Sequence, residues 1–247
     1  MSIPAATLQA LYYTKTASIY DAMHIDRKTD EHYYALGFIE MLCDPLGLNT
    51  LLDVGSGTGR SVAFLLDHGR DVRGVEPVVA LIEEAEKKGI PKGRILEGNG
   101  YSLPFEDNSF DAVLECGVMH HVAEPSRVVN EMMRVARHAV FLSDNNRFGQ
   151  GSFTARTLKL ALHKFRLWNA AMFLQTKGKM YKVSDGDGVY YSYSVFESYD
   201  QLHQWADKVW LIPTAPEKPG RSWLHPLITS PHVLVCALKN RQGTPES

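Results

Sequence analysis

Only three cysteines occur among the 247 residues, and they are scattered. Cys43, Cys116 and Cys236 form no CxxC pair, which argues against a disulfide framework and a cysteine-rich zinc site and suits a reducing compartment. No run of about 18 apolar residues is present, so no stretch is long enough to cross a bilayer as a helix. The opening residues, MSIPAATLQALYYTK, lack a basic segment followed by an apolar core and do not read as a secretory signal. Together these absences point to a cytoplasmic protein. With a formal net charge of −2, the chain as a whole lacks the positive surplus of a polyanion binder, and no nucleic-acid partner is expected. No internal repeat or low-complexity segment is visible.

What is present is an alternation of short apolar runs and amphipathic stretches. Residues 5–42 read as helical. TLLDV (50–54), DVRGVEP (71–77), RILEG (94–98), SFDAVLEC (109–116) and AVFLSD (139–144) read as strands. Between them lie helices over 58–69, 78–89 and 126–137, the first two closed by glycines. A helix over about 199–207 and strands at 208–214 and 232–238 follow, and the tail RQGTPES (241–247) reads as unstructured. Strands that alternate with helices of about ten residues imply βαβ crossovers. The expected fold is α/β, a doubly wound, mostly parallel seven-stranded sheet of Rossmann-like type. One domain, 1–247, divides into an N-terminal helical lid (1–45), a cofactor-binding core (46–145), an insertion after the fifth strand (146–196), and a C-terminal helix and strands (197–240).

Ligands of such sheets sit beyond the carboxyl ends of the strands. LLDVGSGTGR (51–60) is a strand running into a glycine-rich turn, and Glu76 ends the next strand, where a carboxylate can accept hydrogen bonds from ribose hydroxyls. Taken alone, these features fit NAD and S-adenosylmethionine (SAM) equally well. Two details separate them. Arg60 stands where the dinucleotide fingerprint wants a third packing Gly or Ala, and GNGYSLPFEDNSFDAVLECGVMHHV (98–122) follows. LLDVGSGTGR, GVEP, LPFEDNSFDAVL and GVMHHV, in that order and spacing, resemble the class I SAM-dependent methyltransferases of the small-molecule type. The resemblance covers roughly 16–145 and the closing strands.

That resemblance implies SAM as cofactor. Asp53, Gly55, Ser56 and Gly57 would line its methionine and ribose end, Glu76 would hold the ribose hydroxyls, and Pro77 and Val78 would pack on the adenine. Asn99, in place of the usual Asp, would contact the adenine amino group, flanked by Gly100 and Tyr101. Cys116 and Gly117 would meet the methionyl part, and Tyr20, within TASIYDAMH (16–24), would close over the cofactor.

Methyl transfer from a sulfonium needs an oriented acceptor and removal of its proton. His120 and His121 are candidate bases, with backbone-orienting roles as the alternative. Asp144 is the third candidate, at the end of the fifth strand in SDNN (143–146). An Asp-Asn pair there suggests the magnesium site of catechol-type O-methyltransferases. That site also needs an acid at the end of the fourth strand, and Glu115 is expected to point to the opposite face, so no metal is expected. Asp144 and Asn145 would instead contact the acceptor.

The insertion is locally basic. Between Asp144 and Asp185 there are eight Lys or Arg and no Asp or Glu. Arg147, Tyr190, Tyr191 and Tyr193 are expected to line an acceptor pocket, with Asp185 and Asp187 available to hydroxyls and DGDG forming a hairpin turn. Residues 153–177 read as one helix of poor amphipathicity. It fits a lid facing an anionic acceptor, a helix resting on an anionic membrane surface, or a solvated charged face. The function expected is transfer of a methyl group to an oxygen or nitrogen of a small molecule, such as a sugar, a glycan precursor or a natural product. An NAD-dependent reductase and a methyltransferase-like scaffold without catalysis are the alternatives; a homodimer is compatible with the sequence. Nucleic-acid methylation is disfavoured, because there is no NPPY-type tetrad and no Pro-Cys nucleophile.

Overall fold

The computed structural model describes residues 3–24, 31–215 and 225–240. The N-terminal section is α1 (Ala5–Thr16), a single 3-10 turn, α2 (Tyr20–His24) and α3 (Glu31–Leu46). The continuous helix expected over 5–42 is therefore broken after Thr16, whose backbone (φ −103°, ψ 0°) leaves the helical region.

The core follows as β1 (Thr50–Val54), α4 (Arg60–Asp67), β2 (Asp71–Glu76), α5 (Val79–Lys87), β3 (Ile95–Glu97), β4 (Phe110–Cys116), α6 (Pro125–Val135) and β5 (Ala136–Asn145). The insertion comprises α7 (Phe153–Lys164), α8 (Trp168–Gln175), β6 (Tyr181–Ser184) and β7 (Gly188–Tyr191). The chain closes with α9 (Tyr199–Trp205), β8 (Lys208–Pro213), α10 (Pro226–Thr229) and β9 (His232–Leu238). Seven strands form one sheet in the order β3-β2-β1-β4-β5-β9-β8, and β6 pairs with β7 in a separate hairpin. The five central strands run parallel, while β9 is antiparallel to both β5 and β8. The order reverses between β1 and β4, so a crevice opens there at the strands' carboxyl ends.

Successive side chains of a strand point to opposite faces, and both faces of this sheet are covered. Leu51, Leu114 and Phe141 pack with Val62 and Leu65 of α4 and Leu36 and Ile39 of α3. Their neighbours Leu52, Val113, Val140 and Leu142 pack on the other face with Val128, Val129 and Met132 of α6 and Leu202 of α9. This two-sided burial explains why the strands read as nearly unbroken apolar runs.

Two local departures from the expected elements matter for the site. Residues 153–177 fold as two helices, because Arg166 adopts a left-handed conformation (φ 58°) and breaks the run. Glu115 pairs in register with Leu142 and so shares a face with Asp144, instead of pointing away from it as expected.

Candidate active site

The β1–α4 turn is built from glycines that a side chain would disrupt. Gly55 has φ 79°, and a Cβ there would fall 2.5 Å from Val118. Gly59 (φ 80°) caps α4, and its missing Cβ lets the helix start close against Ile90 and Ala85. Gly59 therefore supplies the close packing that Arg60 cannot give.

Above this turn lies a cavity of about 270 Å³, roofed by α1 and lined from both sides of the switch point. All but one of the residues assigned to the cofactor border it: Tyr20, Gly55, Ser56, Gly57, Glu76, Pro77, Val78, Asn99, Gly100, Tyr101, Cys116 and Gly117. The exception, Asp53, is buried just beneath, with Oδ1 lacking a hydrogen-bond partner. Burial pushes its carboxyl up to about 7, against the pull of the Arg60 cation. Burial likewise pushes Glu76 up to about 7, although its carboxylate accepts hydrogen bonds from the Val78 and Gly57 N–H groups at 2.9 Å each. Asn99 Oδ1 accepts from the Tyr101 N–H at 3.0 Å and so fixes that loop.

A second cavity, about 600 Å³, lies beside the first and is lined largely by the insertion. Of the residues assigned to the acceptor, Asn145, Arg147, Asp187, Tyr190, Tyr191 and Tyr193 border it, whereas Asp144 is buried behind His120 and Asp185 lies outside the lining. Tyr191 borders both cavities. Tyr193 shows only its edge, since it is almost wholly buried with its hydroxyl 2.7 Å from Ser198 Oγ.

The two histidines form the partition. His121 borders the first cavity and His120 the second, with ring centroids 4.0 Å apart. A 3-10 turn over Met119–His121 presents them, and Asp144 Oδ2 accepts the His120 backbone N–H at 3.2 Å. Asp144 Oδ1 also accepts from His120 Nδ1 at 2.7 Å, which leaves Nε2 turned to the cavity. From the hairpin, Asp187 reaches over both rings, 3.5 Å from His120 Nε2 and 3.3 Å from His121 Nε2. His121 donates from Nδ1 to the Val189 carbonyl at 2.7 Å and meets the Tyr13 hydroxyl at 3.0 Å through Nε2.

These contacts set the charges. Burial alone would lower His120, but Asp144 and Asp187 outweigh it and raise the imidazole from 6.5 to about 10. In return, burial pushes Asp144 up but the facing imidazolium holds it below the carboxylate range. The same histidines hold Asp187 far below that range despite its burial. Glu115 is driven the other way, with burial and the neighbouring Asp144 carboxylate pushing its carboxyl well above the usual range. The donors at the strand ends do not fit a catechol-type magnesium site. Asp144 Oδ1 receives two hydrogen bonds, Asn145 Oδ1 is taken by Gln150, and Glu115 Oε2 accepts the Val118 N–H.

Sequence reasoning places α1 (Ala5–Thr16) within an N-terminal lid but names none of its side chains as site residues. Gln9 is buried, donates to the Asp187 carbonyl at 3.2 Å and accepts the Val189 N–H on Oε1. Gly188 (φ 67°) permits this, because a Cβ there would lie 2.5 Å from Gln9 Oε1. Nothing in the local pattern flags Gln9 or Tyr13, since their partners lie more than a hundred residues away.

Residues 52–143 match the family model described as a methyltransferase domain. An uncharacterized methyltransferase of Mycobacterium leprae (strain Br4923) is 39% identical over 94 residues, covering 38% of this chain and 35% of that protein. One from Mycobacterium sp. (strain KMS) is 40% identical over 91 residues, 37% and 36% of the two chains. The matched region thus spans little more than a third of these relatives. Among solved structures, a SAM-dependent methyltransferase of Thermotoga maritima, described as a possible histamine N-methyltransferase, superposes with a TM-score of 0.57 at 19% identity, covering 94% of this chain and all of that one. The magnesium protoporphyrin IX methyltransferase of Synechocystis PCC 6803, solved with bound SAM, gives 0.58 at 13% identity over 97% and 99%. The fold is that of the class I, Rossmann-like methyltransferases. Over residues 52–143 the chain is similar to the methyltransferase domain of that family model and of these relatives. Among the described residues no helix is long and apolar enough to cross a membrane.

Proposed function

We propose that this protein transfers a methyl group from SAM to an oxygen or nitrogen of a small molecule bound in the second cavity. The observation that carries the reading is the partition: His121 faces one cavity, His120 the other, and the sheet's switch point opens beneath them. The glycine turn, the buried Asp53 and the Glu76 carboxylate suit the methionine and ribose of SAM, which supplies an activated methyl group when bound. On the acceptor side, Asp144 holds the tautomer of His120 by accepting from Nδ1, so Nε2 is the atom placed to take the acceptor's proton. Asp187 keeps that atom protonated as long as it stays close. An acceptor hydroxyl or amine that displaces the Asp187 carboxylate frees Nε2 to act as a base. Tyr190, Tyr191 and Trp168 offer faces suited to a sugar or another ring.

Calorimetry with SAM and S-adenosylhomocysteine tests the cofactor half. Micromolar binding is expected, and Glu76→Ala should weaken it at least a hundredfold. NAD should show no binding; the reverse pattern would establish the reductase reading instead. Release of S-adenosylhomocysteine with a small-molecule panel separates an enzyme from a scaffold.

A further inference from the structure

We propose that the second cavity holds its acceptor by an anionic oxygen group, a carboxylate or a phosphate, bound at Lys159, Lys182 and Arg147. The inference rests on the reading of that cavity as the acceptor site and names the class of molecule it takes.

Charge bookkeeping within the cavity wall carries the argument. Its lining includes the cations Arg147, Lys159, Lys182 and the protonated His120, against one lining carboxylate, Asp187. Asp187 is held by the two histidines, with Asp144 on the far side of His120. Arg147 is paired with Glu197. Among the described residues neither Lys159 nor Lys182 is paired with a carboxylate, and the chain between Asp144 and Asp185 holds eight cations and no acid.

Arg147 is fixed in place for recognition. It is 4% exposed, its guanidinium lies 4.7 Å from the Phe148 ring centre and 4.6 Å from that of Trp168, and its Nη atoms bond the Ser192 carbonyl, His163 and Glu197. Its Nε has no hydrogen-bond partner. Lys159 Nζ donates to the carbonyls of Arg147 and Gln150 at 2.9 and 3.1 Å, which orients the ammonium and leaves its third proton for a ligand. Burial and the nearby Arg147 and Arg156 cations hold Lys159 below the ordinary lysine range, a sign of positive charge crowded without a counter-ion. An oxyanion would relieve that crowding and form charge-assisted hydrogen bonds with the lysine ammonium groups.

The test uses the full chain saturated with S-adenosylhomocysteine at low ionic strength. It is titrated separately with inorganic phosphate and with citrate, followed by calorimetry. Saturable binding of at least one anion is expected. Binding of phosphate alone assigns phosphorylated acceptors; binding of citrate, alone or as well, includes carboxylated ones. Lys159→Gln with Lys182→Gln should weaken that binding at least tenfold, and the pair of Lys→Arg replacements should restore it. Both variants should keep the S-adenosylhomocysteine affinity, which reports that they fold. No saturable binding of either anion, or binding that the Gln variant leaves unchanged, would overturn the proposal. Failure of the wild-type chain to bind S-adenosylhomocysteine would strike the methyltransferase reading instead and is scored separately.

Discussion

The core over 46–145 and the insertion over 146–196 achieve binding by different means. The core holds its cavity with backbone: glycine turns, N–H groups aimed at Glu76, and strands buried on both faces. The insertion holds its cavity with side chains, through cations, tyrosines and a single Asp carried on a two-stranded hairpin. Backbone geometry fits one shared ligand and tolerates little change. A side-chain wall can be altered residue by residue without disturbing the sheet. The family match follows the same division, since it covers 52–143 and stops before the insertion.

Breaking the boundary between the halves should give the largest effect after loss of Glu76. His120→Ala should lower kcat by about 10²–10⁴, the range for a general base, with cofactor affinity kept within about twofold. A drop in affinity comparable to the drop in kcat would assign His120 to cofactor binding. Asp187→Asn sharpens the comparison through pH. The base must be neutral to act, and two carboxylates hold His120 protonated up to about 10. Removing one charge should move the acidic limb of the kcat/KM profile to lower pH, and an unmoved limb would exclude His120 Nε2 as the base. The linked stability change has a defined sign. A histidine raised from 6.5 to about 10 stabilises the fold fully below 6.5, and that contribution is lost as pH rises through 10. Asp187→Asn should therefore lower the melting temperature more at pH 6 than at pH 10.

The smallest effect is expected at the seam between lid and hairpin. Gln9→Ala removes the contacts that tie α1 to Asp187 and Val189. It should raise KM for the acceptor about threefold to tenfold, equivalent to roughly 1 kcal/mol. Equal loss of cofactor affinity would show that Gln9 serves the roof of the first cavity alone.

The strands of the core were legible because a buried parallel strand needs a continuous apolar run, and TLLDV and the AVFL of β5 are such runs. The glycine turn was legible for a similar reason, since positive φ selects glycine locally. The break at Arg166 was not, because a left-handed arginine leaves no mark in composition. Glu115 was misread because one residue of register decides which face a side chain joins, and only the pairing with β5 sets that register.

By itself, then, the sequence determined the doubly wound sheet and the glycine-rich turn, both of which depend on short-range pattern. The tertiary structure alone decided that Asp187 bridges two histidines more than sixty residues away, that Gln9 ties the lid to the hairpin, and that Asp144 orients one ring of the pair. Hydrogen bonds between distant segments follow from how helices and hairpins pack on the sheet, and no local periodicity encodes that packing.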